Sequence, residues 1–211
     1  MGFLKGKTAI ITGGGREVLQ DGSCGSIGYG IATAFAKEGA NLVLTGRNVK
    51  KLEGAKELEE KYGIKVLAVP ADIHAGADNE AIAADVAKQA MDVFGRIDVL
   101  INNAQASASG VKLTDHTTEQ FDLAVYSGLY ATFYYMKACY PYLKETKGSV
   151  INFASGAGLF GNFGQCAYAA AVWRQLSGGR MASTSISCAR WHGPLSWRNS
   201  RMRIRMRSRQ M

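Results

Sequence analysis

The chain has 211 residues, of which 47% are hydrophobic and 20% are charged, a composition typical of one globular domain with a sizeable core. Its longest apolar runs have the length of strands, far short of the ~20 residues that a membrane-spanning helix needs. The segment MGFLKGKTAIIT lacks the long apolar region of a signal peptide, so we expect no secretory leader. The four cysteines show neither CxxC nor metal-ligand spacing, so we expect reduced thiols, no metal site and a cytoplasmic location.

The net charge of +8 is distributed very unevenly along the chain. Residues 1–171 hold 16 basic residues and all 17 acidic residues, whereas residues 172–211 hold nine arginines, no lysine and no acid. All three tryptophans also lie in this second segment. Because one folded domain rarely divides so sharply, the sequence predicts a domain over 1–171 and an atypical basic tail of different origin over 172–211.

Short apolar runs alternate with helical patterns through the first 171 residues. The predicted strands cover 7–11, 41–45, 65–69, 99–101 and 150–153, and the predicted helices cover 27–38, 49–62, 80–94 and 117–144. Strict alternation of strand and helix indicates a parallel sheet with helices on both faces. The strands are rich in Val, Ile and Leu without alternation, which is typical of strands buried on both sides.

A glycine-rich segment from Thr12 to Ala32 separates the first strand from the first helix, with Gly13, Gly25 and Gly28 between them. A dinucleotide pyrophosphate needs close backbone approach and a helix N-terminus at such a place. A tight strand–helix turn needs glycine as well, so the cluster alone does not discriminate. Its position at the start of a βαβ unit favours cofactor binding.

This turn resembles that of the short-chain dehydrogenase/reductase family, T-G-x-x-x-G-x-G, which Thr12, Gly13 and Gly28 match. The chain departs from the pattern by about ten inserted residues and by Ser26 in place of the middle glycine. S-I-x-Y-G-I-A is also similar to the divergent enoyl-carrier-protein reductases of the same superfamily. The resemblance covers residues 1–171 and implies a Rossmann-like, doubly wound sheet of strand order 3-2-1-4-5. The cofactor contacts it implies are Thr12, Gly13, Gly14, Ser26, Ile27, Gly28, Arg47, Asp72, Ile73, Asn103 and Ala104.

The second strand ends in T-G-R-N, without the acid that NAD-preferring folds place there for the ribose 2′-hydroxyl. Arg47 suits a 2′-phosphate instead, so NADP(H) is favoured; NAD(H) binding, with Arg47 merely solvated, is the alternative. Asp72 matches the family residue that binds the adenine amine. The turn N-N-A-Q at 102–105 matches the family's N-N-A-G, with Gln105 replacing glycine.

Ser155 and Tyr168 lie 13 residues apart, the separation of the family's catalytic Ser and Tyr. By resemblance, a hydride passes between nicotinamide and a carbonyl or carbinol carbon. Tyr168 exchanges a proton with the substrate oxygen, and Ser155 holds that oxygen by a hydrogen bond.

Two residues of the family's catalytic set are missing. A lone tyrosine hydroxyl titrates near ~10 and is a poor base at neutral pH, and in the family a lysine one helical turn on corrects this. Val172 stands at that position, and no lysine follows Lys147. Arg174 is the nearest cation, but six residues after Tyr168 it is expected on a different face of a helix, and a guanidinium is not equivalent to an ammonium here. Gly128 aligns with the family's catalytic Asn.

The tail shows no clear strand, although the family continues with two more strands and a substrate-binding helix. We therefore expect missing C-terminal strands and an exposed edge on the fifth strand. One explanation of the tail is a basic arm for nucleic acid or a membrane, since arginine runs attract phosphate. The favoured one is a frameshift with a deletion, because a back-translation shifted by two bases can be interpreted as the family's sixth strand followed by an acidic helix. The gene's nucleotide sequence distinguishes the two.

The resemblance implies an NAD(P)(H)-dependent oxidoreductase that interconverts a carbonyl and an alcohol on a small molecule. Its activity is expected to be impaired, because Val172 replaces the lysine. The alternatives are an inactive NADP-binding remnant and a nucleic-acid-binding protein that uses the tail. We expect no membrane partner, and nucleic acid is the less favoured partner. The family commonly pairs subunits through its two longest helices, which implies a homo-oligomer.

Overall fold

A computed structural model of the chain describes residues 2–173 and 185–190. Its parallel strands form one sheet of order β3-β2-β1-β4-β5-β6. The strands are β1 Thr8–Thr12, β2 Asn41–Gly46, β3 Val66–Pro70, β4 Val99–Asn102, β5 Ser149–Ser155 and β6 Ser185–Arg190. The order predicted for the first five strands is confirmed.

The sixth strand corrects the prediction that no strand follows β5. Its backbone pairs in parallel with β5, from Val150 opposite Ser185 to Ser155 opposite Arg190, so the β5 edge is covered. The sequence S-I-S-C-A-R carries few of the residues by which strands are predicted, but a parallel edge offers backbone partners to any extended segment. The other predictions for the tail, including those for Arg174 and the arginine run, fall outside the described residues.

Helices cover both faces of the sheet. They are α1 Ile27–Lys37, α2 Val49–Gly54, α3 Glu57–Tyr62, α4 Asn79–Phe94, α5 Thr118–Ala124, α6 Ala131–Thr146, α7 Gly156–Phe160 and α8 Cys166–Trp173. A π-helical segment, Val125–Tyr130, joins α5 to α6. Within residues 2–173 and 185–190, no helix has the length and apolar character needed to cross a membrane.

Two predicted helices differ in detail from the observed ones. The helix predicted over 49–62 is two short helices, because the chain makes a turn at Ala55 and Lys56 between α2 and α3. The helix predicted over 117–144 begins and ends close to its expected limits, but the π-helical segment interrupts its regular hydrogen bonding. Single-turn π segments of this kind occur often at functional sites.

Alternate residues of the central strands enter two separate cores. Ile11 and Leu44 face the α1 side, where Tyr29 packs against them. Ile10 and Val43 face the opposite side, covered by α4 and α6. Burial on both faces explains why these strands lack a polar alternation.

A buried carboxylate fastens the amino ends of β1 and β4, away from the carboxyl edge of the sheet. Asp98 is 3% exposed, and it accepts hydrogen bonds from the Thr8 amide at 2.9 Å and from Arg96 Nη2 at 2.7 Å. Burial by itself would raise the pKa of Asp98, but the hydrogen bonds from Arg96 and Thr8 and the attraction of Arg96 and Lys7 lower it overall.

We expect Asp98→Asn to lower the free energy of unfolding by about 2 kcal/mol at neutral pH, because charged hydrogen bonds to a buried group are lost. Since the folded pKa lies below the unfolded value, this stabilisation is full above the unfolded value of ~4 and is lost as the pH falls through the folded pKa. Urea unfolding at several pH values measures the difference. Asp92→Asn, at an exposed pair with Lys88, is the control and should change stability by less than about 1 kcal/mol. An equal loss in both variants at every pH would contradict the assignment.

Candidate functional site

Thr12, at the end of β1, ties the first turn to the turn after β4. Its hydroxyl oxygen accepts hydrogen bonds from the backbone amides of Asn103 at 3.0 Å and Ala104 at 2.9 Å. The Asn103 side chain returns a hydrogen bond to the Thr12 carbonyl at 2.9 Å. Two predicted cofactor-binding segments are thereby fixed side by side.

Two glycines allow this junction to close. Gly13 has φ +70°, a conformation that residues with a side chain rarely adopt. A Cβ at Gly28 would lie 2.1 Å from the Gly13 carbonyl oxygen and 2.6 Å from Asn103 Nδ2. Gly14 donates its amide to Thr45 at 3.2 Å and so holds the turn against β2. The start of α1 therefore reaches the end of β1 only because position 28 has no side chain.

We expect Gly28→Ala to cost about 3 kcal/mol of stability or to prevent folding, because the methyl group overlaps backbone that cannot move freely. Gly30→Ala in the same helix is the matched control: its Cβ would meet nothing nearer than Cys24 Cβ at 3.7 Å. The control should be neutral or should gain up to about 1 kcal/mol, since alanine favours helix. Thermal unfolding of both variants makes the comparison, and similar midpoints would show that the close approach is absent.

The helix α1 begins at the edge where the strands end. Ser26 caps it, with its hydroxyl accepting the Tyr29 amide at 3.3 Å, and Ile27 is its first residue. The first-turn amides of α1 consequently lie beside the β1 turn, in the arrangement that binds anions in such folds.

The inserted residues form a small hairpin. Val18 pairs with Cys24 in an antiparallel bridge, and Arg16 Nε donates to Glu57 Oε2 at 2.8 Å. Tyr29 also donates to Glu57, and burial together with this hydrogen bond raises the pKa of Tyr29. The insertion therefore anchors to α3 and leaves the start of α1 intact.

A cavity of about 320 Å³ opens at the carboxyl ends of β1 to β4. The strand order reverses between β1 and β4, where ligands bind in open α/β sheets. Seven predicted cofactor-binding residues line it: Thr12, Gly13, Arg47, Asp72, Ile73, Asn103 and Ala104. The other four, Gly14, Ser26, Ile27 and Gly28, build the adjoining turn and helix start and do not line it.

Arg47 and Asp72 face each other at one end of the cavity. Arg47 Nε lies 3.8 Å from Asp72 Oδ1, and both side chains are more than half exposed. An exposed pair at this distance is weak, so either partner can turn to a ligand at little cost.

Ser155 and Tyr168 lie outside the lining of this cavity. Ser155 is buried at the end of β5, and its oxygen accepts the Ala157 amide at 3.3 Å, which caps α7. Because this bond uses the oxygen as acceptor, the hydroxyl proton can still be donated. Tyr168 lies in α8 and is partly exposed.

Val172 is 1% exposed, and it belongs to the interior on the same helix as Tyr168. Its neighbour Ala171 is also fully buried and lies close to Gly128 of the π-helical segment. The position expected to carry an ammonium group is therefore occupied by a packed apolar side chain.

Gln105 is a residue whose role the sequence did not reveal. It lines the cavity, and a Cβ on Gly128 would lie 2.8 Å from its Nε2. Among the described residues, the buried Nε2 has no hydrogen-bond partner. The backbone beside it is held by Ser127, whose oxygen accepts the Ala106 amide at 2.9 Å. The departure from the family glycine was visible at Gln105, but its contact with position 128 needs the fold.

Comparison with known proteins places this architecture in a family. A sequence model of the short chain dehydrogenases matches residues 7–173. The chain belongs to the short-chain dehydrogenase family.

Two curated relatives and one solved structure illustrate the likeness. A 12alpha-hydroxysteroid dehydrogenase of Clostridium sp. is 64% identical over 172 residues, which are 81% of this chain and 64% of that protein. The sorbose reductase of Schizosaccharomyces pombe is 36% identical over 77% of this chain and 60% of its own length. A metagenomic short-chain oxidoreductase in complex with NADP is 28% identical, with a TM-score of 0.71 over 82% of this chain and 73% of that one. The chain thus spans less than two thirds of the curated relatives' lengths.

Proposed function

We propose that this chain binds NADP(H) in the cavity at the carboxyl edge and derives from an enzyme that interconverts a carbonyl and an alcohol. The observation that carries the proposal is the junction at Thr12, which joins the β1 turn to the β4 turn beside the start of α1. Family membership supports NAD(P) as the ligand class. The complex of the metagenomic relative with NADP supports the phosphorylated form.

The residues at this edge fit a dinucleotide. The amides of Gly13 and Gly14 are already bonded to the Thr45 carbonyl, so the remaining donors for a pyrophosphate are those of Ser26, Ile27 and the first turn of α1. Gly28 allows the helix to come this close. A 2′-phosphate would draw Arg47 from Asp72, because phosphate is a stronger partner than an exposed carboxylate. Asp72, Ile73, Asn103 and Ala104 would then border the adenosine half.

Bound NADP(H) would supply or accept the hydride. The chain's own part is to hold and move the proton: Tyr168 exchanges it with the substrate oxygen, and the Ser155 hydroxyl donates a hydrogen bond to that oxygen. The capping bond from Ala157 fixes the Ser155 oxygen and leaves its proton free, which supports this role.

The buried Val172 supports a chain that binds cofactor without efficient turnover. An apolar residue at this place cannot stabilise a phenolate on Tyr168 or hold a ribose hydroxyl. An inactive NADP-binding remnant is therefore the second candidate function, favoured by the 1% exposure of Val172.

A hydroxysteroid or its ketone is the substrate class that we propose. The relative that is 64% identical is named for a 12alpha-hydroxysteroid. Three large apolar side chains are exposed in the span between Ser155 and Tyr168, namely Leu159, Phe160 and Phe163. Exposed apolar groups beside a reacting centre suit a bulky apolar ring system.

The division of the chain at residue 171 is part of the proposal. The family match ends at 173, directly before the first arginine of the basic segment, at position 174. We propose that residues 1–171 form the dinucleotide-binding unit and that 172–211 differ in origin from it.

We also propose a homo-oligomer in the cytoplasm. Aromatic side chains are exposed along the π-helical segment and α6, including Tyr130, Phe133 and Tyr140, and such a face supports helix pairing. The free thiols of Cys24, Cys139 and Cys166 support a reducing compartment.

Calorimetric titration of the 211-residue protein with NADPH and with NADH tests the proposed function. We expect NADPH to bind at least about tenfold more tightly, with a matching rise in thermal midpoint. Tighter binding of NADH would overturn the cofactor preference, and no binding of either would overturn the function itself.

A further inference from the structure

We propose that Gln105 supplies a carboxamide from the turn after β4 to the place that Gly128 leaves empty, and that its Nε2 donates a hydrogen bond to the nicotinamide half of the bound dinucleotide. This inference rests on the proposed function and adds to it a ligand-positioning residue.

Two departures from the family pattern meet at one place. Gln105 stands where the family has glycine, and Gly128 stands where it has Asn. Any Cβ at 128 would lie 2.8 Å from Gln105 Nε2 and 3.0 Å from its Cδ. The Gln105 amide group thus fills the volume that a side chain on residue 128 would need, so a carboxamide occupies this place although it comes from the turn after β4.

The surroundings hold this amide in position. Ser127 lies next to Gly128 in the π-helical segment, and its oxygen accepts the Ala106 amide at 2.9 Å while lying 3.1 Å from the Ala106 carbonyl. The backbone that carries Gln105 is therefore held beside the space left by the missing side chain of Gly128, which we call the notch.

The amide lies toward the reacting end of the cavity. The Cβ position of Gly128 is 3.3 Å from Ala171 Cβ, and Ala171 lies in α8, three residues after Tyr168. Arg47 and Asp72 mark the other end, because they follow β2 and β3, on the far side of β1 from β4. A donor beside α8 therefore faces the half of a dinucleotide that is distant from its adenosine.

The unpaired donor points to a ligand. Gln105 Nε2 is buried without a hydrogen-bond partner among the described residues, although the side chain lines the cavity. A buried donor without a partner lowers stability, whereas an apolar group of the same shape would not. The unpaired donor lowers the stability of the ligand-free protein until a ligand supplies an acceptor. A dinucleotide bound in this cavity would supply carboxamide and ribose oxygens as acceptors.

Gln105→Met separates this role from packing, because methionine keeps the length of the side chain and removes the donor. We expect the ligand-free protein to gain thermal stability while its dissociation constant for NADPH rises about fivefold to tenfold. Binding of adenosine 2′,5′-bisphosphate, which lacks the nicotinamide half, should not change. Gln89→Met removes a carboxamide that already has a partner in Asp85, and it should leave both affinities unaltered.

A double-mutant cycle tests the contact itself. Gly128→Ala should lower the thermal midpoint in the parent chain, because the methyl group meets the Gln105 amide, and should lower it far less in a Gln105→Ala background. Equal effects in the two backgrounds would overturn the contact. Unchanged NADPH affinity in Gln105→Met, or an equal loss for the bisphosphate, would overturn the donor role. If the unaltered chain binds neither dinucleotide, the donor role falls with the proposed function, and the cycle still decides whether Gln105 fills the notch.

Discussion

Val172→Lys is expected to raise the turnover of this chain by about a hundredfold or more. The substitution puts an ammonium group one helical turn after Tyr168, on the same face of α8. About 2.7 kcal/mol of stabilisation of the phenolate in the transition state corresponds to a hundredfold in rate. NADPH consumption with a 12-oxosteroid, followed by absorbance, measures the gain.

The gain at 172 depends on charge and on position. Val172→Met introduces a side chain of similar volume to lysine but without charge, and it should turn over at the parent rate. Val172→Arg should gain far less than Val172→Lys, because a guanidinium does not replace an ammonium here. Tyr168→Phe in the Val172→Lys background should abolish the gain. Because Val172 is fully buried, the lysine variant is also expected to lose thermal stability. A lysine variant that folds, binds NADPH and turns over no faster than the parent would refute the role given to this position.

Arg47→Ala is expected to weaken NADPH binding by about tenfold to a hundredfold and to change NADH binding little. The loss is that of one charged hydrogen bond to a phosphate, about 1.5 to 3 kcal/mol. Arg47 directly follows β2, and its ionic partner among the described residues is the exposed Asp72, at 3.8 Å, so little else is lost with it. Calorimetric titration with both dinucleotides gives the two constants.

The quantity that tests the role of Arg47 is the ratio of the dissociation constants for NADPH and NADH. Lys88→Ala removes an exposed cation of α4 that pairs with Asp92, and it should leave the ratio of the NADPH and NADH constants unchanged. Higher salt should reduce the contribution of Arg47, since the side chain is exposed. An equal loss of affinity for NADPH and NADH in Arg47→Ala would mean that the side chain supports the site but does not bind the 2′-phosphate.

The sheet could be predicted because its central strands are short apolar runs separated by helical patterns. These strands have buried residues on both faces of the sheet, among them Ile10, Ile11, Val43 and Leu44. Their burial can therefore be predicted from the apolar composition of each run as well as from the order of the runs along the chain. The position of the glycine-rich turn followed from the same alternation. Elements of this kind depend on local sequence and on rules for parallel sheets.

Other features depend on contacts between distant residues, which local patterns do not contain. The strand Ser185–Arg190 depends on backbone pairing with the edge of β5, since its own residues favour no particular structure. Gln105 and Gly128 are 23 positions apart, and nothing in the spacing shows that they meet. The anchoring of Arg16 on Glu57 is equally non-local, although both charges were visible.

The central claim is that this chain retains a dinucleotide site but lacks the ammonium group that its proton-transferring tyrosine requires. Turnover of the unaltered 211-residue protein at saturating NADPH and 12-oxosteroid tests it most directly, measured beside the Val172→Lys variant under the same conditions. We predict that the unaltered protein binds NADPH yet turns over at least about a hundredfold more slowly than the variant. Turnover by the unaltered protein as fast as that of the variant would contradict the claim.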